Sequence, residues 1–231
     1  MEFALDNNYN RVHASDANKE GEYICPVCNK KVILRKGQIN VDHFAHLSKC
    51  EDKWNYDMSK WHALWQKQFP KKNREVVLEL EGEKHRADVM ACGYVIEFQH
   101  SPISAEEFGE RNNFYLKYGK KVVWIFDFCD EFKSGLIQCY KEWSRNNDNG
   151  GVYKWSHPKR FLKSFLPQEN KDIILFFQYT NSSHLEKNEF YMERVTWAKK
   201  DGGYSDFSRF STSYYPANSV ELIEWIKKNK L

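Results

Sequence analysis

The chain has 231 residues, 41% of them hydrophobic, 16% aromatic and 29% charged. That excludes a collagenous, low-complexity or mostly disordered protein and leaves enough length for one large domain or two modest ones, each with a real core. With 35 basic and 32 acidic residues the net charge is +3, too balanced to argue for nucleic acid by itself.

No apolar run approaches the roughly 20 residues needed to cross a bilayer. Met1 to Asp6 lacks a basic start followed by an apolar stretch, so no secretory signal is expected. Residues 1–50 read as short strands and turns around five metal-ligand types: Cys25, Cys28, His43, His46 and Cys50. The turn Cys25-Pro26-Val27-Cys28 puts two thiols on one side, and thiolate with imidazole in a tetrahedral set of four suits Zn²⁺. Five candidates compete for four places. Cys25, Cys28 and Cys50 take three, and His46, nearer to Cys50, is favoured for the fourth, with His43 as the alternative. A closed set leaves no position for a reacting water, so the site reads as structural. A chance cluster of thiols and a redox dithiol are the competing readings. Cys92, Cys129 and Cys139 are scattered among apolar residues and read as reduced, partly buried thiols of a cytoplasmic protein.

Asp57 to Phe69 carries Met58, Trp61 and Trp65 at helical spacing, and Pro70 stops it. Glu75 to Glu81 alternates Val76, Leu78 and Leu80 with glutamates, a strand pattern. His85 to Ala91 is a second strand, Cys92-Gly93 a turn, and Tyr94 to Gln99 a third strand. Ser104 and Glu107 form a capping box, with Ile103 and Phe108 as the hydrophobic staple, and the helix they start ends near Gly119. Lys121 to Asp127 (KVVWIFD) is an apolar strand. The order is αβββαβ: an antiparallel meander, then a right-handed crossover to a parallel strand. Beyond residue 130, Lys171 to Tyr179 reads as a buried strand and Asn218 to Lys228 as a helix. Gly202 to Tyr215 is a loop or a hairpin, and Gly150–Gly151 and Gly202–Gly203 read as breaks.

The division expected is a zinc-binding β module (1–50), an αβββαβ core (51–130) and an aromatic-rich C-terminal region (131–231) that completes the core or binds a partner. In that last region Trp155, His157, Lys159 and Arg160 combine aromatic and basic groups, a pattern that can stack bases and contact phosphates. An ordinary solvated strand and loop is the more economical reading of the same stretch.

One constellation carries chemistry. Asp88 ends one strand and Glu97 lies in the next, so the two can converge on one hard cation; Gln99 faces the same way as Glu97. A neutral amide cannot act as a general base, but it can orient water or phosphate. Arg111 stands on a helix face shared with Phe108 and Tyr115, and His62 lies between Met58 and Trp65. Arg86 or Arg111 would neutralise phosphate or pair internally with a carboxylate; neither His62 nor His100 is assignable as base or structural.

These two constellations, in this order, resemble the competence protein CoiA-like family. The first match runs from Tyr23-Ile-Cys-Pro-Val-Cys28 through His43-Phe-Ala-His46 to Cys50. The second runs from His85-Arg-Ala-Asp-Val89 through Val95-Ile-Glu-Phe-Gln-His-Ser101 to Glu107, Arg111 and Tyr115, with Trp61-His62 ahead of it. The resemblance implies a restriction-endonuclease-like PD-(D/E)xK core of α+β class with a mixed sheet. It implies Asp88 and Glu97 as ligands of Mg²⁺ or Mn²⁺, with Gln99 in the third catalytic position. It places His62, Arg86, Ser101, Arg111 and Tyr115 around them in support. The expected activity is divalent-metal-dependent hydrolysis of single- or double-stranded DNA, in DNA uptake, processing or defence. A catalytically weak DNA-binding accessory that recruits a recombination or defence protein is the alternative.

Overall fold

In the computed structural model of the chain, the described residues are 1–36, 42–50, 52–54, 58–145, 148–156, 172–179, 190–200, 207–217 and 224. Of the expected helix at 218–228 the described residues include Glu224, which is helical; the rest of it, the Gly202–Gly203 break, and His157, Lys159 and Arg160 lie outside them. No helix among the described residues is long and apolar enough to cross a membrane.

The first 50 residues build a five-stranded antiparallel sheet. Its strands are β1 (Phe3–Leu5), β2 (Arg11–His13), β3 (Tyr23–Ile24), β4 (Lys31–Arg35) and β5 (His43–His46), in the order β2-β1-β3-β4-β5. Its small core holds Ala4, Tyr23, Val32 and Phe44 together with Cys25 and Cys50.

The αβββαβ order follows. Helix α1 (Lys60–Lys67) is capped by Ser59, whose Oγ accepts from the His62 amide at 3.1 Å, so it starts three residues later than its apolar spacing suggests. Strands β6 (Arg74–Leu80), β7 (Glu83–Ala91) and β8 (Tyr94–Gln99) form an antiparallel meander. Both of its turns have positive φ at two central residues, Glu81–Gly82 and Cys92–Gly93, the handedness that matches strand twist in tight hairpins. Helix α2 (Ala105–Lys117) begins at Ser104, whose Oγ accepts from the Glu107 amide at 3.0 Å. It ends at Gly119, φ +78°, where the Gly119 and Lys120 amides close back on Leu116 and Tyr115. Strand β9 (Lys121–Asp127) then pairs parallel with β8.

The sheet does not stop there. After the short helix α3 (Cys129–Lys133) come β10 (Ile137–Arg145), β11 (Asp148–Ser156), β12 (Ile173–Tyr179), β13 (Phe190–Lys200) and β14 (Phe207–Ala217). They extend it to nine strands, in the order β10-β11-β14-β13-β12-β9-β8-β7-β6, with β12 parallel to β9. Of the 202–215 stretch, the described residues 207–215 lie in β14, antiparallel to β13. Gly150 and Gly151 sit inside β11, opposite Trp143 and Glu142, and do not break it. Trp155 corrects a second expectation: it is 1% exposed and packs on Phe128 at 4.7 Å, so it is core and offers no face to a base.

The sheet is covered on both sides. Phe108, Phe114 and Tyr115 of α2 pack with Val95, Trp124, Phe126 and Phe177. Trp65 of α1, with Phe69, packs with Ile96, Phe98, Ile125 and Phe176. The central strands, buried on both faces, are accordingly continuous apolar runs.

Candidate functional site

The acidic constellation lies where β7 and β8 part. Their pairing runs from the turn to Val89–Ile96. The next step would pair Asp88 with Glu97. There the Phe98 amide donates instead to Asp88 Oδ2, at 2.9 Å, and the Asp88 amide points at Glu97 Oε1, at 3.4 Å. Two further groups come from α1. His62 Nε2 is 3.0 Å from Asp88 Oδ1, and Gln66 Nε2 donates to the Asp88 carbonyl at 3.2 Å. Every polar group of Asp88 is thereby fixed.

Glu97 is 1% exposed and held from the other face. Arg111 Nη1 donates to Oε2 at 2.8 Å and Tyr115 Oη to Oε1 at 2.8 Å. Residues 111 and 115 are one helical turn apart, so a single face of α2 delivers both donors. Arg111 also reaches Glu107 at 2.8 Å and the Trp54 carbonyl at 3.2 Å. Of the two roles open to Arg111, the structure shows the internal ion pair.

The charges follow from these contacts. Burial opposes ionisation of Asp88, but His62 and the Phe98 amide outweigh it and hold the carboxyl below its ordinary value. Burial also works against protonated His62, and Asp88 reverses that, raising the imidazole above its usual value. Glu97 goes the other way. Burial, then the neighbouring Asp88 charge, push it up to about 7 against the pull of Arg111 and Tyr115.

The remaining expected residues fall nearby. A cleft is lined by Asp88, His62, Arg86, Gln99, His100, Ser101 and Arg111, among others. Gln99 Nε2 donates to the Ser101 carbonyl, so Ser101 enters through its backbone and braces the amide. His100, 45% exposed at its side chain, sits 2.8 Å from Asp127. Arg86 lies between the two candidate sites, close enough in charge to act on Asp88 and on Cys25.

Five further residues belong to this neighbourhood. Gln66 could have been found, standing one turn after His62 on the same helix face. Asp52 accepts from the Trp54 amide at 3.0 Å and lies 3.1 Å from His85, and the Trp54 ring stacks on His85; nothing in the sequence spacing signals this. Glu75 also lines the cleft, though the strand pattern of 75–81 does not set it apart from the other glutamates there.

In the small sheet, Cys25, Cys28, His46 and Cys50 bring their ligand atoms within 4.8 Å of one another. Cys28 Sγ lies 3.7 Å from Cys50 Sγ and 3.4 Å from His46 Nε2. A tetrahedral zinc with bonds of about 2.0–2.3 Å sets ligand–ligand edges of about 3.5–3.8 Å, so the set fits that ion. His46, and not His43, joins the three thiols. Burial pushes Cys25 up, and burial with the adjacent thiols pushes Cys50 up to about 12. Burial keeps His46 below its ordinary value, which leaves a neutral imidazole for a metal.

A family model for the competence protein CoiA N-terminal domain matches residues 6–52, and one for the CoiA nuclease-like domain matches residues 64–230. The chain belongs to the competence protein CoiA family. The gap between the two CoiA matches, residues 53–63, runs from just past the small sheet into the first turn of α1. A 58-residue stretch is 41% identical to Druantia protein DruB from Escherichia coli, covering 22% of this chain and 11% of that protein. The chain thus spans a small part of that relative's length. No solved structure matches the chain.

Proposed function

We propose that this CoiA-family chain is a nuclease that hydrolyses DNA phosphodiesters with Mg²⁺ or Mn²⁺, and that its small sheet holds a structural Zn²⁺. The carrying observation is the Asp88–Glu97 pair where two strands part: a partly exposed carboxylate that lines the cleft, with a buried one beside it. Hard carboxylate oxygens suit a small dication, which when bound lowers the pKa of water and stabilises the leaving oxygen. The chain's own residues do the rest. His62 and the Phe98 amide orient Asp88, Arg111 and Tyr115 orient Glu97, and Arg86 offers positive charge to phosphate. Gln99, braced by Ser101, presents its amide to water or phosphate. The CoiA nuclease-like match supports nucleic acid as the partner; reduced thiols in a zinc-fitting cluster support a cytoplasmic setting.

The test is cleavage of labelled single-stranded and duplex DNA with each metal. Wild type is run beside Asp88→Asn and Glu97→Gln variants with verified fold and zinc content. Each substitution is expected to lower cleavage by about a thousandfold or more. One observation favours a second reading, a DNA-binding accessory: Gln99 occupies the third catalytic position and turns its only donor group onto Ser101. Salt-dependent DNA binding without cleavage under either metal would select it.

A further inference from the structure

Glu75 stands where three strands align their acids. Pairs Arg74–Val89 and Val76–Ala87 flank it on β6 and β7, and the β7–β8 register continues to Asp88 and Glu97. Glu75, Asp88 and Glu97 therefore occupy one row across the sheet. At Glu75 itself the ladder is interrupted. Its φ is +46°, a left-handed backbone uncommon outside glycine, which the fold keeps here at a conformational cost. The residue is 2% exposed. One oxygen, Oε2, accepts from the Glu2 and Phe3 amides at 2.9 and 3.2 Å, tying the small sheet to β6. The other, Oε1, is buried without a hydrogen-bond partner, on a residue that lines the cleft together with Asp88, His62 and Arg86. A buried carboxylate oxygen left unsatisfied costs far more than one that is paired, so such an atom marks a position built for something else.

We propose that Glu75 is a third carboxylate of the divalent-cation site, offering Oε1 to the ion alongside Asp88. This rests on the cation-dependent reading given above and deepens it. Arg86 is a charged neighbour of both Glu75 and Asp88, and all three line one cleft. The placement also gives Oε2 a purpose: by gripping two amides of the small sheet, it fixes the direction in which Oε1 points.

The experiment is Mn²⁺ binding to the full, zinc-loaded chain, followed by the electron paramagnetic resonance of free Mn²⁺, for wild type, Glu75→Gln and Asp88→Asn. Glutamine keeps a carbonyl oxygen for the Glu2 and Phe3 amides. Glu75→Gln is therefore expected to melt with wild type and to bind Mn²⁺ more weakly by about tenfold or more. Wild-type affinity in Glu75→Gln, with Asp88→Asn weakened, overturns the assignment of Glu75 alone. No Mn²⁺ uptake by wild type, or none lost in Asp88→Asn, overturns the cation site itself and this inference with it. If Glu75→Gln does not fold with its zinc, Glu75→Asp carries the test: the charge stays, the oxygen withdraws by one methylene, and unchanged Mn²⁺ affinity counts against a ligand.

Discussion

At the Cys/His cluster the donors face one another. Cys28 sits against both Cys50 and His46. At the acidic site each carboxylate faces a protein partner: His62 for Asp88, and Arg111 with Tyr115 for Glu97. The difference teaches where each centre gets its order. Crowded thiols in a small core become favourable neighbours only when a cation sits between them. The acidic residues are already oriented by cations and donors of the chain, so that site is assembled before any metal arrives. On the zinc reading proposed above, the five-stranded sheet, with few apolar residues, depends on its ion. The nine-stranded sheet depends on packing.

The sharpest way to break this contrast is to remove the ion from the cluster. Stripping zinc, or Cys28→Ser, is expected to unfold the small sheet and leave the αβββαβ elements standing. Structural zinc supplies about 10–16 kcal/mol in small domains, so the loss should appear as a separate early transition in thermal unfolding, matched to zinc content. A single unchanged transition would show that the small core holds itself. Next in size is Arg111→Met, which removes the partner of a buried charge. The expected cost is about 3–5 kcal/mol by denaturant unfolding. It should be smaller at pH 5 than at pH 8, because Glu97 can then take a proton.

The smallest effect is the pH dependence of the intact site with no added divalent cation. The folded-state pKa of Glu97 is raised to about 7 from an ordinary 4.5. The folded chain then keeps a proton that the unfolded chain has lost. Its stabilising contribution is complete below about pH 4.5 and disappears as pH rises through about 7, amounting to at most about 3 kcal/mol. Glu97→Gln should lack this contribution, and Mg²⁺ should flatten it in wild type. A wild type that tracks Glu97→Gln across the window would mean that Arg111 and Tyr115 already keep Glu97 ionised.

What was legible in the sequence was local. Alternation at period two marked β6 and β8, an apolar run marked β9, Cys92-Gly93 marked the turn between β7 and β8, and Ser104 with Glu107 marked the start of α2. The 111/115 spacing put two donors on one helix face. What stayed hidden depends on distant strands or on single dihedral angles. Trp155 looks like a surface aromatic beside basic residues, yet β11 pairs with β14, more than fifty positions later, and its ring is turned inward on Phe128. Glu75 looks like one more glutamate in an alternating strand; its positive φ has no counterpart in the residue pattern. Arg111 was left between phosphate and carboxylate because helix periodicity gives a face and not a partner.

The parallel pairing of β9 with β12 has a consequence for synthesis. Asp127 emerges from the ribosome well before Ile173, and until β12 arrives the Val122–Phe126 strand has one unpaired edge. An open, flat, aromatic edge is a template for the wrong partner. A fragment cut after residue 130 would contain every acidic residue argued for here and would still be a poor reagent, because it freezes the nascent chain at its stickiest moment.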